Sequence, residues 1–436
     1  MKKLWILLCF SAFLSSGGEP ILKVGIFGDV QAYASKADWG MTNLEKAFQL
    51  FEPQKPDLLL QLGDLCDRGD AKPLFGLYHE LVRRYLPKNI QQLHCAGNHE
   101  FWVDAEPKDS EALYRAFVSA LGQSPENPCH TVIRGYDFIA FSEDAEQYSP
   151  EKLALLKAAL DKAVQRDAEK PIFLLTHFPP ADTVSGSHGS AGQKALRELL
   201  NGYRQVVSFS GHSHYPLEDE RCIWQGEFTA VTTSTLSYGC MEERPYNALG
   251  ANLPFGREAI QVLSMEIFSD RLVIRRYNAE ENREIKPDRP WVIALPYRPE
   301  KARYTAERVR KRKAPAFPDN AEIVLRLDYW FAYLLFNAAE HDDFVHFYKI
   351  AITEKGKPES RKEFLFAADF YRLERNRDSR PQFRLPCEIL SPGKSYCFEV
   401  YPAESFGLTG EPLRLETEIP ATYHFQKSGR PLYPQE

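Results

Sequence analysis

Five short apolar runs in the first half of the chain each end on a polar side chain, and nothing else in the sequence constrains the fold as much. Leu22–Gly28 runs into Asp29-Val30-Gln31, and Leu58–Leu62 runs into Gly63-Asp64-Leu65-Cys66-Asp67-Arg68-Gly69. Gln91–Cys95 leads to Gly97-Asn98-His99-Glu100, Ile172–Thr176 ends at His177, and Val206–Ser210 ends at Gly211-His212-Ser213-His214. Two more strand-like runs lie at Phe138–Phe141 and Phe228–Thr233. Helical patterns separate them, at Met41–Phe51, Phe75–Tyr85, Ser110–Leu121, Pro150–Arg166 and Gly192–Tyr203. Strands that alternate with helices predict an α/β layer architecture. In such sheets ligands bind beyond the carboxyl ends of the strands. Asp29, Gln31, Asp64, Asn98, His177, His212 and His214 are therefore expected on one rim. Ala259–Ile267 and Arg271–Tyr277, joined through Phe268-Ser269-Asp270, predict an antiparallel hairpin.

The pattern changes further on. Residues 284–316 are rich in proline and carry the basic cluster Arg308, Arg310, Lys311, Arg312 and Lys313, which reads as a solvated linker. From Pro318 the chain reads as seven short strands, at Glu322–Leu327, Trp330–Phe336, Phe344–Ile352, Phe364–Phe370, Gln382–Leu385, Ser395–Val400 and Leu413–Glu418. That spacing predicts a β-sandwich. The stretch Leu390–Tyr396, just before a Tyr-x-Phe-x-Val strand, resembles the tyrosine corner of fibronectin type III domains. The expected organisation is a leader at 1–18, an α/β domain at 19–283, a linker at 284–316 and a small sandwich at 317–436. The sandwich is expected to contact either the α/β domain or a surface ligand.

Composition excludes several classes. With 44% hydrophobic and 26% charged residues, the 436-residue chain matches globular usage and not disorder. A net charge of −6 gives no footprint for bulk nucleic-acid binding. Lys2 and Lys3, the apolar run Leu4–Leu14 and Ser15-Ser16-Gly17-Gly18 have the layout of a secretory signal peptide, so export or a periplasmic location is expected. No apolar stretch reaches the roughly 20 residues of a spanning helix. The eight cysteines form no zinc pattern, and without Cys9 an odd number remains, so no disulfide framework is expected. Cys387 and Cys397 could bridge neighbouring strands or stay buried as thiols.

The rim residues have a chemical meaning as a set. Carboxylate, amide oxygen and imidazole together suit divalent Mn, Fe, Co or Zn. An acid shared between two coordination spheres would hold two ions about 3.5–4 Å apart, clamp phosphoryl oxygens and lower the pKa of a bridging water. Singly, each residue has a duller reading: Asp29 and Asp64 as turn residues, His177 as a structural histidine. Their coincidence in order along the chain is what argues for metal. His94 and His130 keep the structural reading, and His188 is read as a flexible loop histidine without a role, the alternative being a substrate contact.

These motifs together resemble the calcineurin-like metallophosphoesterases. The resemblance implies a four-layer αββα fold and a hydrolase acting on a small phosphorylated substrate. It also implies one metal held by Asp29, Gln31, Asp64 and His214 and another by Asp64, Asn98, His177 and His212, with Asp64 bridging. His99 would face the phosphate as acid or transition-state stabiliser. The Gly63–Gly69 motif is shared with the phosphoprotein phosphatases, which makes Arg68 a phosphate contact, unless it simply pairs with Asp67. The common first motif is Asp-x-His, and Asp29-Val30-Gln31 departs from it. That variant, with Gly97–Trp102, is similar to the Mn-dependent ADP-ribose/CDP-alcohol diphosphatases and favours Mn. Two other functions remain to be separated from this one. A surface glycan- or protein-binding protein on an inert scaffold would contain no stoichiometric metal. A nuclease would need a basic stripe near the motifs, and none is present.

Overall fold

The computed structural model describes residues 18–423 except 34–37, 70–72, 105–107, 145–147, 188, 242–251, 329–330 and 386–388. Most of the expected leader, His188 and Cys387 fall outside the described residues.

Two sheets face each other in the first domain. The first is built on three parallel strands, β1 (Leu22–Phe27), β2 (Leu58–Leu62) and β3 (Gln91–Cys95). The second contains β4 (Cys129–Ile133), β5 (Tyr136–Ala140), β6 (Ile172–Leu175), β7 (Val206–Ser210), β8 (Ile223–Gln225) and β9 (Thr229–Thr232) in the order β4-β5-β6-β7-β9-β8. The first sheet is completed by β10 (Gln261–Ile267), β11 (Arg271–Asn278), β12 (Arg283–Ile285) and β13 (Trp291–Ala294), with β10 antiparallel to β1. Every residue of β2 and of β6 is buried, as a strand covered on both faces requires. Alternate residues divide between two cores. Val24, Ile26, Leu60 and Leu62 pack against Phe138, Phe173, Val207 and Phe209 of the facing sheet. Phe27 and Leu59 turn the other way, towards helices α1 (Trp39–Phe51), α2 (Pro73–Tyr85) and α3 (Ser110–Ala120). Helices α4 (Pro150–Arg166) and α5 (Ala191–Leu200) cover the second sheet. The layer order is α/β/β/α. Side-chain caps start the helices: Ser149 accepts from Lys152 N–H, and Ser190 forms a capping box with Gln193.

The stretch 284–316 is not only a linker. Its β13 pairs with β11, and Trp291, 1% exposed, sits in the inter-sheet core. Nor is the basic cluster wholly solvated. Arg312 binds Glu404 at 2.5 Å and Asp343 at 3.0 Å, and Arg308 donates to the Ile223 carbonyl at 2.8 Å. Arg308 ties the segment to the first domain and Arg312 ties it to the second.

The C-terminal region is a two-sheet antiparallel sandwich. Strands β14 (Ile323–Leu327), β15 (Ala332–Phe336) and β18 (Gln382–Leu385) form one sheet. Strands β17 (Lys362–Ala367), β16 (Phe347–Glu354), β19 (Ser395–Ala403) and β20 (Leu413–Glu418) form the other, in that order. Leu334, Phe336, Ile350, Phe383, Phe398 and Val400 fill the space between them. The Tyr396 hydroxyl accepts the Ser391 N–H at 2.9 Å. The sandwich docks on the first domain through Phe370 and Tyr371, which join the inter-sheet core. Beside them Glu258 accepts from Arg372 (3.1 Å), Leu373 N–H (2.9 Å) and Asn376 (3.0 Å). Among the described residues no helix is long and apolar enough to cross a membrane.

Candidate functional site

The carboxyl ends of β1, β2, β3, β6 and β7 meet at one rim, and the seven residues expected there line it. Asp29 is fully buried and its carboxylate accepts the His212 N–H at 3.0 Å. His214 Nε2 lies 3.1 Å from Asp29 Oδ1. Asp64, 1% exposed, lies 3.2 Å from His177 Nε2 and accepts the His99 N–H at 3.0 Å. Asn98 Oδ1 is 3.0 Å from the same His177 nitrogen. Asp29, Asp64 and His214 each offer one ligand atom, all within 4.8 Å of one another.

The backbone is bent to make this possible. Asp29 (φ 52°), Gln31 (47°), Asp64 (52°), His212 (68°) and His214 (53°) all adopt the left-handed region that non-glycine residues rarely visit. Each costs of order 1–3 kcal/mol, and such conformations persist where the surroundings over-determine them. Gly63, at φ 90°, opens the turn before Asp64. A Cβ at Gly97 would collide with Asp64 Oδ1 and lie 2.8 Å from the His177 ring, so only glycine lets β3 approach Asp64. Glu100, 2% exposed, ties the β2 and β3 loops together by accepting the N–H groups of Asp64 (2.8 Å), Cys66 (3.0 Å) and Gly97 (2.6 Å).

Backbone carbonyls orient two of the imidazoles. His177 Nδ1 donates to the Leu62 carbonyl and His214 Nδ1 to the Tyr238 carbonyl, both at 2.8 Å. Each ring is left with Nε2 aimed at a buried carboxylate, which is how proteins present histidine to a metal. Burial alone would push His177 down, but Asp64 beside it raises it to about 10. The His177 cation in turn holds Asp64 well below the usual carboxylate range against the opposing effect of burial. His214 is likewise raised by Asp29 against burial. Burial and the Asp64 charge push Glu100 up to about 7. Two buried acids that draw protons onto neighbouring imidazoles mark a place suited to a cation. The donor set of carboxylate, amide and imidazole fits divalent metal ions.

His99 sits at the mouth. Its Nδ1 donates to the Asp67 carbonyl at 2.8 Å, and its ring lies against half-exposed Trp102 with centroids 3.9 Å apart. Arg68 pairs with exposed Asp104 at 2.5 Å and not with Asp67. His94 is buried against Tyr78, and His130 bonds Asp137 at 2.6 Å, both away from the rim. Two residues of the loop after β9 were not anticipated. Ser237 Oγ donates to Gln31 Oε1 at 2.6 Å, and the Tyr238 hydroxyl also meets the Gln31 side chain. Burial pushes that hydroxyl up to about 12.

Residues 22–216 match the model of the calcineurin-like phosphoesterase family. The match covers the two facing sheets up to His214 and somewhat less than half of the chain. No curated protein matches the chain. Among solved structures the chain is similar to a dimetal phosphatase from Danio rerio, at 14% identity and a TM-score of 0.40, over 60% of this chain and 97% of that one. It is similar to the inner-membrane-complex anchor of Plasmodium at 13% identity and TM-score 0.43, over 66% and 91% of the two chains. A purple acid phosphatase from yellow lupin gives 14% identity and TM-score 0.43, over 63% of this chain and 53% of that one.

Proposed function

We propose that this phosphoesterase is an exported dimetal phosphohydrolase that cleaves a phosphomonoester, phosphodiester or phosphoanhydride in a small substrate, with Mn as the favoured ion. The observation that supports this most is the convergence of Asp29, Asp64 and His214 within 4.8 Å at the ends of separate strands. Asp29, Asp64 and His214 would hold one ion, and Asp64, Asn98, His177 and His212 would hold the other. Gln31 lies beside the first, its N–H on the Asp64 carbonyl at 2.9 Å. Bound divalent ions polarise phosphoryl oxygens and acidify water.

The protein's own groups do the rest. His99, anchored through Nδ1 on the Asp67 carbonyl, holds its ring at the mouth of the site, where it would face the phosphoryl group. Among the described residues Arg68 pairs with exposed Asp104, an ion pair of the kind worth about 0–1 kcal/mol, so it can turn to an incoming phosphate at little cost. The three- and four-stranded sheets and the Tyr396–Ser391 bond support a fibronectin type III-like reading of the sandwich. Incubating Mn-loaded protein with bis-p-nitrophenyl phosphate, p-nitrophenyl phosphate and nucleotide diphosphate sugars tests the reading. Turnover that Asp64→Asn abolishes supports it. Metal-loaded wild type inert on all three classes would leave the inert-scaffold alternative in its place.

A further inference from the structure

Gln31 makes more contacts than a simple replacement for a ligating histidine would need. Its Oε1 accepts from Ser237 Oγ at 2.6 Å, its Nε2 lies 3.0 Å from His99 Nε2, and the Tyr238 hydroxyl also bonds it. The direction of each bond follows from one fixed end. The Asp67 carbonyl can only accept, so His99 Nδ1 carries the hydrogen. In a neutral ring Nε2 is then a lone pair, and the group facing it must be a donor. The Gln31 amide supplies that donor through one N–H. Its second N–H suits the oxygen of Tyr238, and its carbonyl oxygen is left for the Ser237 hydroxyl. One assignment of the amide therefore satisfies all four groups at once.

We infer that Gln31 is a positioning residue for His99: with Ser237 and Tyr238 behind it, the amide holds the ring orientation of the histidine that faces the phosphoryl group. The inference rests on the phosphohydrolase reading for its catalytic consequence, but the hydrogen-bond chain stands apart from it. An imidazole at position 31 that ligated a metal through one nitrogen would have only the other left, and could not both give a hydrogen to His99 and accept one from Ser237. The left-handed backbone at Gln31 aims the amide at His99 across 68 residues of sequence. Trp102 closes the ring from another side, at a 37° tilt.

Two substitutions and two measurements that need no substrate test this. Nitrogen-15 spectra of histidine-labelled, chelator-stripped protein should show His99 with hydrogen on Nδ1 and a hydrogen-bonded lone pair on Nε2. In Gln31→Ala that Nε2 resonance should shift, and Ser237→Ala should shift it the same way by less. Mn²⁺ affinity, titrated by calorimetry, should stay within about twofold of wild type in both. Where the enzyme turns over, kcat should fall about 10–100-fold in Gln31→Ala, the usual scale for losing a group that orients an active one. Ser237→Ala, which removes only one hydroxyl, guards against a Gln31 variant that fails to fold. Loss of Mn²⁺ affinity by tenfold or more in Gln31→Ala would make Gln31 a ligand first and overturn the inference. An unchanged His99 spectrum in both variants would overturn it as well. Absence of turnover in wild type would bear only on the phosphohydrolase reading, since spectra and affinity are read without substrate.

Discussion

The first domain and the sandwich treat polar groups and backbone strain in opposite ways. In the first, Asp29, Asp64, His177 and His214 are at most 4% exposed, gathered where five strands end. In the second, the core is apolar, and charges such as Arg361, Glu399 and Arg414 pair on an outer face. The buried acids of the sandwich, Glu404 and Asp343, lie at the joint with the first domain, where Arg312 meets both. The backbone differs too. Eleven non-glycine residues have positive φ among the described residues, all between Asp29 and Lys286, and five of them are expected site residues. The left-handed residues of the sandwich are glycines, Gly356, Gly393 and Gly407, which adopt this conformation without strain. Left-handed non-glycine residues and a cluster of buried acids and imidazoles gather at one rim of the first domain, whereas the sandwich is shaped by apolar packing and keeps its buried acids at the joint.

That contrast can be broken by substitution, and the largest effect is expected at Asp64. Asp64→Asn should abolish turnover in a steady-state assay, because a neutral amide cannot serve two cations; retention of more than a few per cent would end the shared-ligand reading. His99→Ala should lower kcat by about 10²–10⁴-fold, the range for a lost proton-transfer group, while metal content stays at the wild-type level. The loss should shrink for p-nitrophenyl esters, whose leaving group needs less help.

Effects on the framework side should be smaller and should appear in unfolding and not in rate. Glu258→Ala removes the acceptor for Arg372, Leu373 and Asn376 at the joint. It should cost about 1–3 kcal/mol in denaturant unfolding and leave kcat within about twofold of wild type. A large fall in kcat would mean that the sandwich helps to shape the site. Tyr396→Phe removes one hydrogen bond from Ser391 and should cost about 1 kcal/mol, with no change in activity.

The same contrast explains what the sequence reveals. Strands such as β2 are legible because both faces are covered and the run is unbroken. Helix α4 is legible from its proline at the first turn and its 3.6-residue pattern. Strand β4 escapes notice because it is a short edge strand only partly buried, β8 because it has just three residues, and β13 because prolines flank its four residues. The site is legible where a residue type follows directly on a strand, as Asp64 and His177 do. Ser237 and Tyr238 do not show this way: Ser237 meets Gln31 across 206 residues, and no local spacing records such a meeting. Arg68 is legible as a cation but not in its partner, since Asp104 approaches only through the turn that follows His99.

The central claim is that the rim of the phosphoesterase domain is a two-ion site joined by Asp64. Metal analysis by mass spectrometry, on wild type and Asp64→Asn purified and reloaded with Mn²⁺ side by side, tests it most directly. The account predicts about two divalent ions per wild-type chain and loss of both in Asp64→Asn, because one bridging carboxylate serves the pair. Wild-type protein without stoichiometric metal, or Asp64→Asn that keeps both ions, would contradict it.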